Sequence, residues 1–104
     1  MDVDTDCPEA VFPDGVTVRD VTIINRKGLH ARATAKLVQT VDRFASEIWI
    51  SRCGETVGGR SIMALLTLGA GMGTVISIAA LGDDADAALD AISALIADRF
   101  GEGE

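Results

Sequence analysis

Strand-like and helix-like segments alternate along this chain in an order that few folds accommodate. Segments rich in β-branched residues near positions 16–24, 46–53 and 74–81 predict strands, and a short strand is expected at positions 56–57. Apolar residues recur at helical spacing near positions 30–44, 62–68 and 84–100. The predicted order is β-α-β-β-α-β-α, which indicates an α+β fold with helices on one face of a sheet.

Length and charge narrow the class of protein further. The chain has 104 residues, of which 48% are hydrophobic, and this suits one domain with a real core. We expect an acidic flexible tail over residues 1–15 and a folded domain over residues 16–101. The net charge of −7 argues against nucleic-acid partners and anionic membrane surfaces.

Targeting signals and metal-binding motifs are not apparent in the sequence. No apolar stretch reaches the roughly 18 residues of a transmembrane helix, and the acidic N-terminus is unlike a signal peptide. We therefore expect a cytoplasmic protein that does not insert into membranes. Cys7 and Cys53 lie far apart, and the chain has one histidine, so no metal site is expected. In a reducing cytosol the two cysteines would be free thiols.

The single histidine, His30, lies where a loop closed by Gly28 leads into the first predicted helix. Unpaired N–H groups at a helix N-terminus favour an anion, and imidazole is a nucleophile that titrates near neutral pH. A nucleophile beside a phosphate-binding helix end suggests transient phosphorylation of His30. The alternative is a surface histidine in a turn.

Three sequence blocks resemble the HPr family, the histidine phosphocarriers of the bacterial phosphotransferase system. The first is GLHAR at residues 28–32, which is similar to the family's active-site signature. The second and third are GRSIMALLTLG at residues 59–69 and GTVISI at residues 73–78. They resemble the regulatory-serine helix and the last strand. The resemblance implies an open-faced β-sandwich with a four-stranded antiparallel sheet covered by three helices.

The resemblance also implies a role for His30 and Arg32. His30 would accept a phosphoryl group at Nδ1 from phospho-Enzyme I, charged by phosphoenolpyruvate, and pass it to an Enzyme IIA component. Arg32 would contact the phosphoryl group, which suits a guanidinium with forked donors. Such a protein is a stoichiometric carrier rather than an enzyme, needs no cofactor and is expected to be a monomer.

A second group of residues is implied to serve regulation and docking. Ser61 matches the serine that HPr kinase/phosphorylase modifies in some bacteria, although a plain helix N-cap is an equal alternative. Part of its helix and the first turn after His30 would form the partner-docking face. Its expected members are Ala31, Ala33, Ile62, Met63 and Leu66, of which Met63 is the best candidate for an exposed anchor. An apolar set of this kind is more often core.

One position departs from the family pattern, because Ala33 stands where most relatives have proline. Together with the preceding segment Asn25-Arg26-Lys27-Gly28, this alanine suggests the proteobacterial branch of the family, which includes nitrogen-type (NPr) carriers. Two other functions are compatible with a chain of this kind. A regulatory module controlled by Ser61 without transfer activity would have no need of both His30 and Arg32. An independent enzyme using His30 as general base lacks recognisable catalytic partners in the sequence.

Overall fold

The computed structural model describes residues 7–102. The first six residues of the predicted acidic tail and the last two residues of the chain lie outside the described range. The elements follow the predicted β-α-β-β-α-β-α order, with a short 3₁₀ turn at the end. Their bounds are β1 (Thr17–Thr22), α1 (Ala31–Val41), β2 (Glu47–Arg52), β3 (Glu55–Gly58), α2 (Ile62–Thr67), β4 (Val75–Leu81), α3 (Ala85–Ala97) and the 3₁₀ turn (Arg99–Gly101).

The four strands form one antiparallel sheet in the order β1-β4-β2-β3. β4, whose sequence is almost wholly apolar, is central and pairs with β1 on one side and β2 on the other. Side chains alternate along each strand between the two faces. Ile76 and Ile78 of β4 therefore point towards the helices, whereas Ser77 and Ala79 lie on the opposite, outer face.

The core lies between the inner face of the sheet and the three helices. α3 contacts β1 and β4, and α2 contacts β3, while α1 packs against both helices. Complete burial of a large aliphatic side chain contributes about 1.5–3 kcal/mol, so this layer holds the domain together. Its largest fully buried members are Ile23, Leu37, Val41, Ile48, Ile50, Leu65, Ile76, Ile78, Leu89, Ile92, Ile96 and Phe100. No helix within residues 7–102 combines the length and apolarity needed to cross a bilayer.

The last helix ends earlier than its apolar spacing predicted. α3 stops at Ala97 rather than near position 100, and the chain then adopts positive φ angles of 54° at Arg99 and 55° at Phe100. This left-handed turn directs the Phe100 side chain into the core, where it is completely buried. The backbone then returns towards the start of α1, which brings Glu102 close to His30.

The expectation that the cysteines are free thiols is wrong for this structure, because Cys7 and Cys53 form a disulfide. Cys53 occupies the tight turn between β2 and β3, and residues 7–15 run back across the outer face of the sheet. The two Cα atoms lie 4.6 Å apart, within disulfide range. A separation of 46 residues gave no hint of this proximity, which depends on the path of the whole chain. We call residues 7–15 the N-terminal strap.

Candidate functional site

The loop before α1 is docked firmly against the rest of the domain. The Leu29 N–H donates to the Ala70 carbonyl oxygen at 2.8 Å. Gly28 has a φ of +67°, and a Cβ there would lie 2.7 Å from the Ala70 oxygen, so only glycine fits without a shift of the backbone. This docking fixes where the next residue, His30, enters the helix.

His30 is the N-cap of α1, and its side chain does not cap the helix. Thr34 is the first residue whose N–H bonds back into the helix, to the His30 carbonyl oxygen at 2.8 Å. The three N–H groups before it therefore have no intrahelical acceptor. The first turn contains no acidic residue. The helix end next to the imidazole thus keeps its partial positive charge for an anion.

Cationic side chains surround the same helix end. Lys27, Arg32 and Lys36 line a cavity of about 530 Å³ together with His30 and Glu102. Lys36 Nζ also donates to the Phe100 carbonyl oxygen at 2.6 Å, which ties the C-terminal turn to α1. Arg32 is exposed at the first turn, so its guanidinium is accessible to a ligand that approaches from solvent. The cavity is open to solvent and brings three cationic side chains together beside the Glu102 carboxylate, and guanidinium and ammonium groups are suited to binding phosphate.

Glu102 is the principal feature of the site that the sequence did not predict. Its Oε2 contacts His30 Nε2, and its Oε1 accepts a hydrogen bond of 3.0 Å from Asn25 Nδ2. Asn25 is fully buried and also donates to the Gly28 carbonyl oxygen at 2.8 Å. The carboxylate is therefore held by the same loop that orients His30. The side chain of Glu102 is 11% exposed, against 27% for His30.

The surroundings of Glu102 keep its carboxyl ionised. Burial alone would raise the pKa of this carboxyl, but the opposing effects prevail and its pKa lies below the ordinary 4.5. These effects are hydrogen bonds from Asn25 and His30, the attraction of the His30 ring when it is protonated, and the charge of Lys27. An ionised carboxylate only accepts hydrogen bonds, so Nε2 of His30 must be the donor. In the neutral imidazole, Nδ1 then carries the free lone pair.

Glu102 and His30 are 72 residues apart, and the acidic end of the chain follows no helical or strand pattern. The only local signal was the apolar Phe100, whose burial turns the chain back towards the site. Lys27 and Lys36 carry no distinctive sequence signal either, because lysines on a loop and a helix surface are common. Across the described part of the chain, no three His, Cys, Asp or Glu side chains converge as ligands for a metal ion.

The second candidate site lies at the start of α2. Ser61 is the exposed N-cap of this helix, and its Oγ accepts a hydrogen bond of 3.3 Å from the Ala64 N–H. Ser61 is therefore both a structural cap and accessible to a modifying enzyme. Its geometry is compatible with either interpretation.

The predicted docking residues differ in their exposure. Met63 is 74% exposed and Ile62 is 41% exposed, so both present apolar surface to solvent. Ala31 is exposed and Leu66 is half-buried. The prediction of Ala33 as a contact residue is wrong, because this side chain is completely buried in the core and cannot touch a partner. It lies on the inner face of α1, where a small residue fits.

The fold and site define a class: a small α+β domain with one histidine at the N-terminus of a helix, inside a cationic cavity. A family model described as the PTS HPr component phosphorylation site matches residues 17–98. The phosphocarrier protein HPr of Cupriavidus necator is 51% identical over 83% of this chain and 97% of its own length. The phosphocarrier protein NPr of Shewanella violacea is 46% identical over 81% and 92%.

Solved structures agree with the sequence relatives. HPr from Thermoanaerobacter tengcongensis matches with a TM-score of 0.80 and 40% identity, over 83% of this chain and 97% of that one. The chain belongs to the HPr family of phosphocarriers of the phosphotransferase system. The resemblance identified from three sequence blocks is thereby confirmed, as is the predicted open-faced fold.

Proposed function

We propose that Nδ1 of His30 accepts a phosphoryl group from phospho-Enzyme I and transfers it to an Enzyme IIA component. The observation that carries this proposal is the hydrogen bond between Nε2 and the ionised Glu102. That bond directs the ring proton to Nε2 and leaves Nδ1 as the nucleophile. We call Glu102 a positioning residue, because it acts on the ring and not on the phosphoryl group.

The transfer step is a displacement at phosphorus. The Nδ1 lone pair forms a bond to phosphorus while the bond between phosphorus and the donor breaks, and the donor keeps that electron pair. The Nε2 proton stays on the ring, where Glu102 stabilises the positive charge that develops. Transfer to the acceptor is the same step in reverse, with the imidazole as leaving group.

The charges around His30 favour the phosphorylated state. The unpaired N–H groups of the first turn of α1 supply donors to phosphoryl oxygens. Arg32 supplies a forked donor at the opening of the cavity, and Lys27 and Lys36 add two positive charges. Because the site is open, the phosphoryl group stays accessible to the next acceptor.

Enzyme I and Enzyme IIA are proposed to dock on the surface that combines α1 and α2. Ile62 and Met63 are exposed on α2, which packs beside α1. A flexible methionine adapts to partners of different shape, which suits a carrier that binds a donor and an acceptor in turn. We further propose that the carrier works in the cytoplasm as a monomer and without a cofactor.

Intact-mass spectrometry tests the proposal directly. The protein is incubated with phosphoenolpyruvate, Mg²⁺ and Enzyme I, and wild type is compared with His30→Ala and Ser61→Ala. We expect an acid-labile gain of one phosphoryl group in wild type and Ser61→Ala, and no gain in His30→Ala. A gain that survives in His30→Ala, or none in wild type with a cognate Enzyme I, would contradict the carrier role.

The alternative is a regulatory module that is phosphorylated at Ser61 and transfers nothing. The exposure of Ser61 supports its modification by a kinase, but that is compatible with transfer at His30 as well. The relay itself would serve sugar uptake, nitrogen and carbon regulation, or both. Incubating the phosphorylated protein with sugar-type and nitrogen-type Enzyme IIA proteins separates these cases, since loss of the phosphoryl group identifies the acceptor.

A further inference from the structure

The N-terminal strap lies on the outer face of the sheet. The helices lie on the inner face only, so an open-faced fold leaves the other side of the strands to solvent. In this chain the N-terminal strap, residues 7–15, crosses that outer face before β1 begins. The strap precedes the part of the chain that the family model matches, which starts at residue 17.

The strap contacts the sheet near both of its ends. At one end, the position of a Cβ on Gly15 would be 3.6 Å from Leu81 Cδ1, at the end of β4. At the other end, a Cβ on Gly54 would lie 2.9 Å from Pro8 Cβ, next to the β2–β3 turn. These contacts lie at opposite ends of the sheet, so the strap runs the length of the strands.

Between its ends the strap leaves space beneath it. A cavity of about 540 Å³ is bounded by Ala10 and Phe12 of the strap and by Val18, Ser51 and Val75 of the outer face. Such a gap leaves part of the outer face without strap atoms packed against it. Val18 and Val75 remain 48% and 47% exposed beneath it. The Cys7–Cys53 disulfide is the covalent link between the strap and the sheet.

The disulfide is within reach of a reductant. Cys53 is exposed, and Cys7 is only partly buried. Cys53 and Gly54 form the two-residue turn between β2 and β3, with φ angles of 52° and 82°. This turn favours asparagine or glycine at its first position, so a cysteine there is unusual for the turn itself. Its sulfur faces the strap at the rim of the sheet.

We propose that Cys7 and Cys53 are a reversible thiol–disulfide site, which when oxidised fixes the strap across the outer face and when reduced releases it. The chemical class of co-reactant is a dithiol for reduction and a small-molecule disulfide for oxidation. In reduction, one thiolate of the dithiol attacks one sulfur of the pair, which gives a mixed disulfide and releases the other cysteine as a thiolate. The second thiol of the reductant then attacks the reductant's own sulfur in the mixed disulfide and displaces the cysteine that is still bound there. Two electrons and two protons pass from the dithiol, which leaves as a cyclic disulfide.

This site is separate from the phosphoryl-acceptor cavity. The cavity beneath the strap and the cavity around His30 share no lining residue. The redox state of the pair should therefore change the outer face without changing phosphorylation at His30. The inference goes beyond the carrier function and stands or falls independently of it.

Limited proteolysis under two redox conditions tests the proposal. Glu9 is exposed in the strap, so cleavage after Glu9 by a glutamyl endopeptidase reports how freely the strap moves. We expect cleavage on the order of tenfold slower after oxidation with glutathione disulfide than after dithiothreitol, because cleavage requires local opening. Oxidation should also lower the intact mass by two hydrogen atoms per molecule.

Cys7→Ser is the matched control, because it lies outside the folded strands and leaves the β2–β3 turn intact. It should be cleaved at the fast rate in both buffers, and Cys53→Ser should behave in the same way. Three results would overturn the proposal: two free thiols after oxidation, equal cleavage of wild type in both buffers, or a redox difference that persists in Cys7→Ser. Far-ultraviolet circular dichroism serves as the folding check in every sample.

Discussion

Glu102 and His30 illustrate how a single contact between distant residues can define a site. The contact depends on Phe100, whose burial turns the chain, and on Asn25, which holds the other carboxylate oxygen. Asn25 carries the one buried polar side-chain atom without a partner among the described residues, its Oδ1. The amide is therefore oriented by its two donor bonds, to Gly28 and Glu102. His30 is supported by a loop and by the C-terminal segment together.

Replacing Glu102 should change the protonation pattern of the imidazole. In Glu102→Ala we expect both neutral tautomers of His30 to be populated, whereas wild type carries the proton on Nε2. Phosphoryl transfer from Enzyme I should slow by roughly fivefold, which corresponds to about 1 kcal/mol for a partly exposed charge-assisted hydrogen bond. Nitrogen-15 NMR of the ring reports the tautomer.

Glu102→Gln is the matched control for this substitution. It keeps an acceptor oxygen for Nε2 but removes the charge, so we expect it to preserve more of the wild-type tautomer than Glu102→Ala. Identical ring nitrogen shifts in wild type and Glu102→Ala would show that the carboxylate does not orient the imidazole. That result would contradict the role of Glu102 but not the proposal that His30 is phosphorylated.

At the scale of elements, sequence periodicity located β1–β4 and α1–α3, but it extended α1 to position 44 and α3 to position 100, whereas they end at Val41 and Ala97. Periodicity records which face of a helix is apolar, and Phe100 fits the apolar face of α3. It does not record that the backbone leaves the helix at Ala97 and inserts Phe100 from a left-handed turn. The path of the chain after this turn, and hence the position of Glu102, was inaccessible to pattern analysis for the same reason.

Asp84 connects the start of α3 to the loop before β2. Its carboxylate accepts from the N–H groups of Ala45 and Ser46, both at 2.9 Å, and from the Ser46 hydroxyl. The hydrogen bond from the Ser46 hydroxyl is the largest cause that holds the pKa of Asp84 below its ordinary 3.8, followed by that from the Ala45 N–H. A lowered pKa means that folding favours the charged carboxylate. The stabilisation is therefore complete above pH 3.8 and is lost as the pH falls through the lower folded-state value.

We expect Asp84→Asn to lower the midpoint of urea unfolding at neutral pH and to make stability less sensitive to acid. Asp83→Asn is the control, because it removes the same charge one residue away. The measurement is the unfolding midpoint from neutral pH to below pH 3.8 for the three proteins. Equal loss of stability on acidification in wild type and Asp84→Asn would be inconsistent with this role of the carboxylate.

Ser61 offers a second prediction at the level of one helix. Ser61→Ala removes the acceptor for the Ala64 N–H and should destabilise the domain by about 1 kcal/mol, as N-cap losses commonly do. Ser61→Thr keeps a hydroxyl at the cap and should retain most of the stability. Urea unfolding of the three proteins measures the difference. If Ser61→Ala were as stable as wild type, the N-cap interpretation of Ser61 would be contradicted.

For the whole molecule, features that depend on local sequence could be predicted, whereas contacts between distant segments could not. The element order, the central position of β4 and the location of His30 and Arg32 at the start of α1 follow from the local sequence. The Cys7–Cys53 pair, the burial of Ala33 and the approach of Glu102 depend on how distant segments fold back. These features determine which side chains are accessible and where the His30 ring carries its proton. The environment of the site could therefore be described only from the structure.

The measurement that most directly tests the account is NMR of the protein after phosphorylation by Enzyme I with nitrogen-15 in the histidine ring. Coupling between phosphorus-31 and the ring nitrogens identifies the atom that carries the phosphoryl group. We predict phosphorus on Nδ1 of His30 and a proton on Nε2, the nitrogen that faces Glu102. Phosphorus on Nε2, or on Ser61 with an unmodified His30, would contradict the proposed orientation and use of the imidazole.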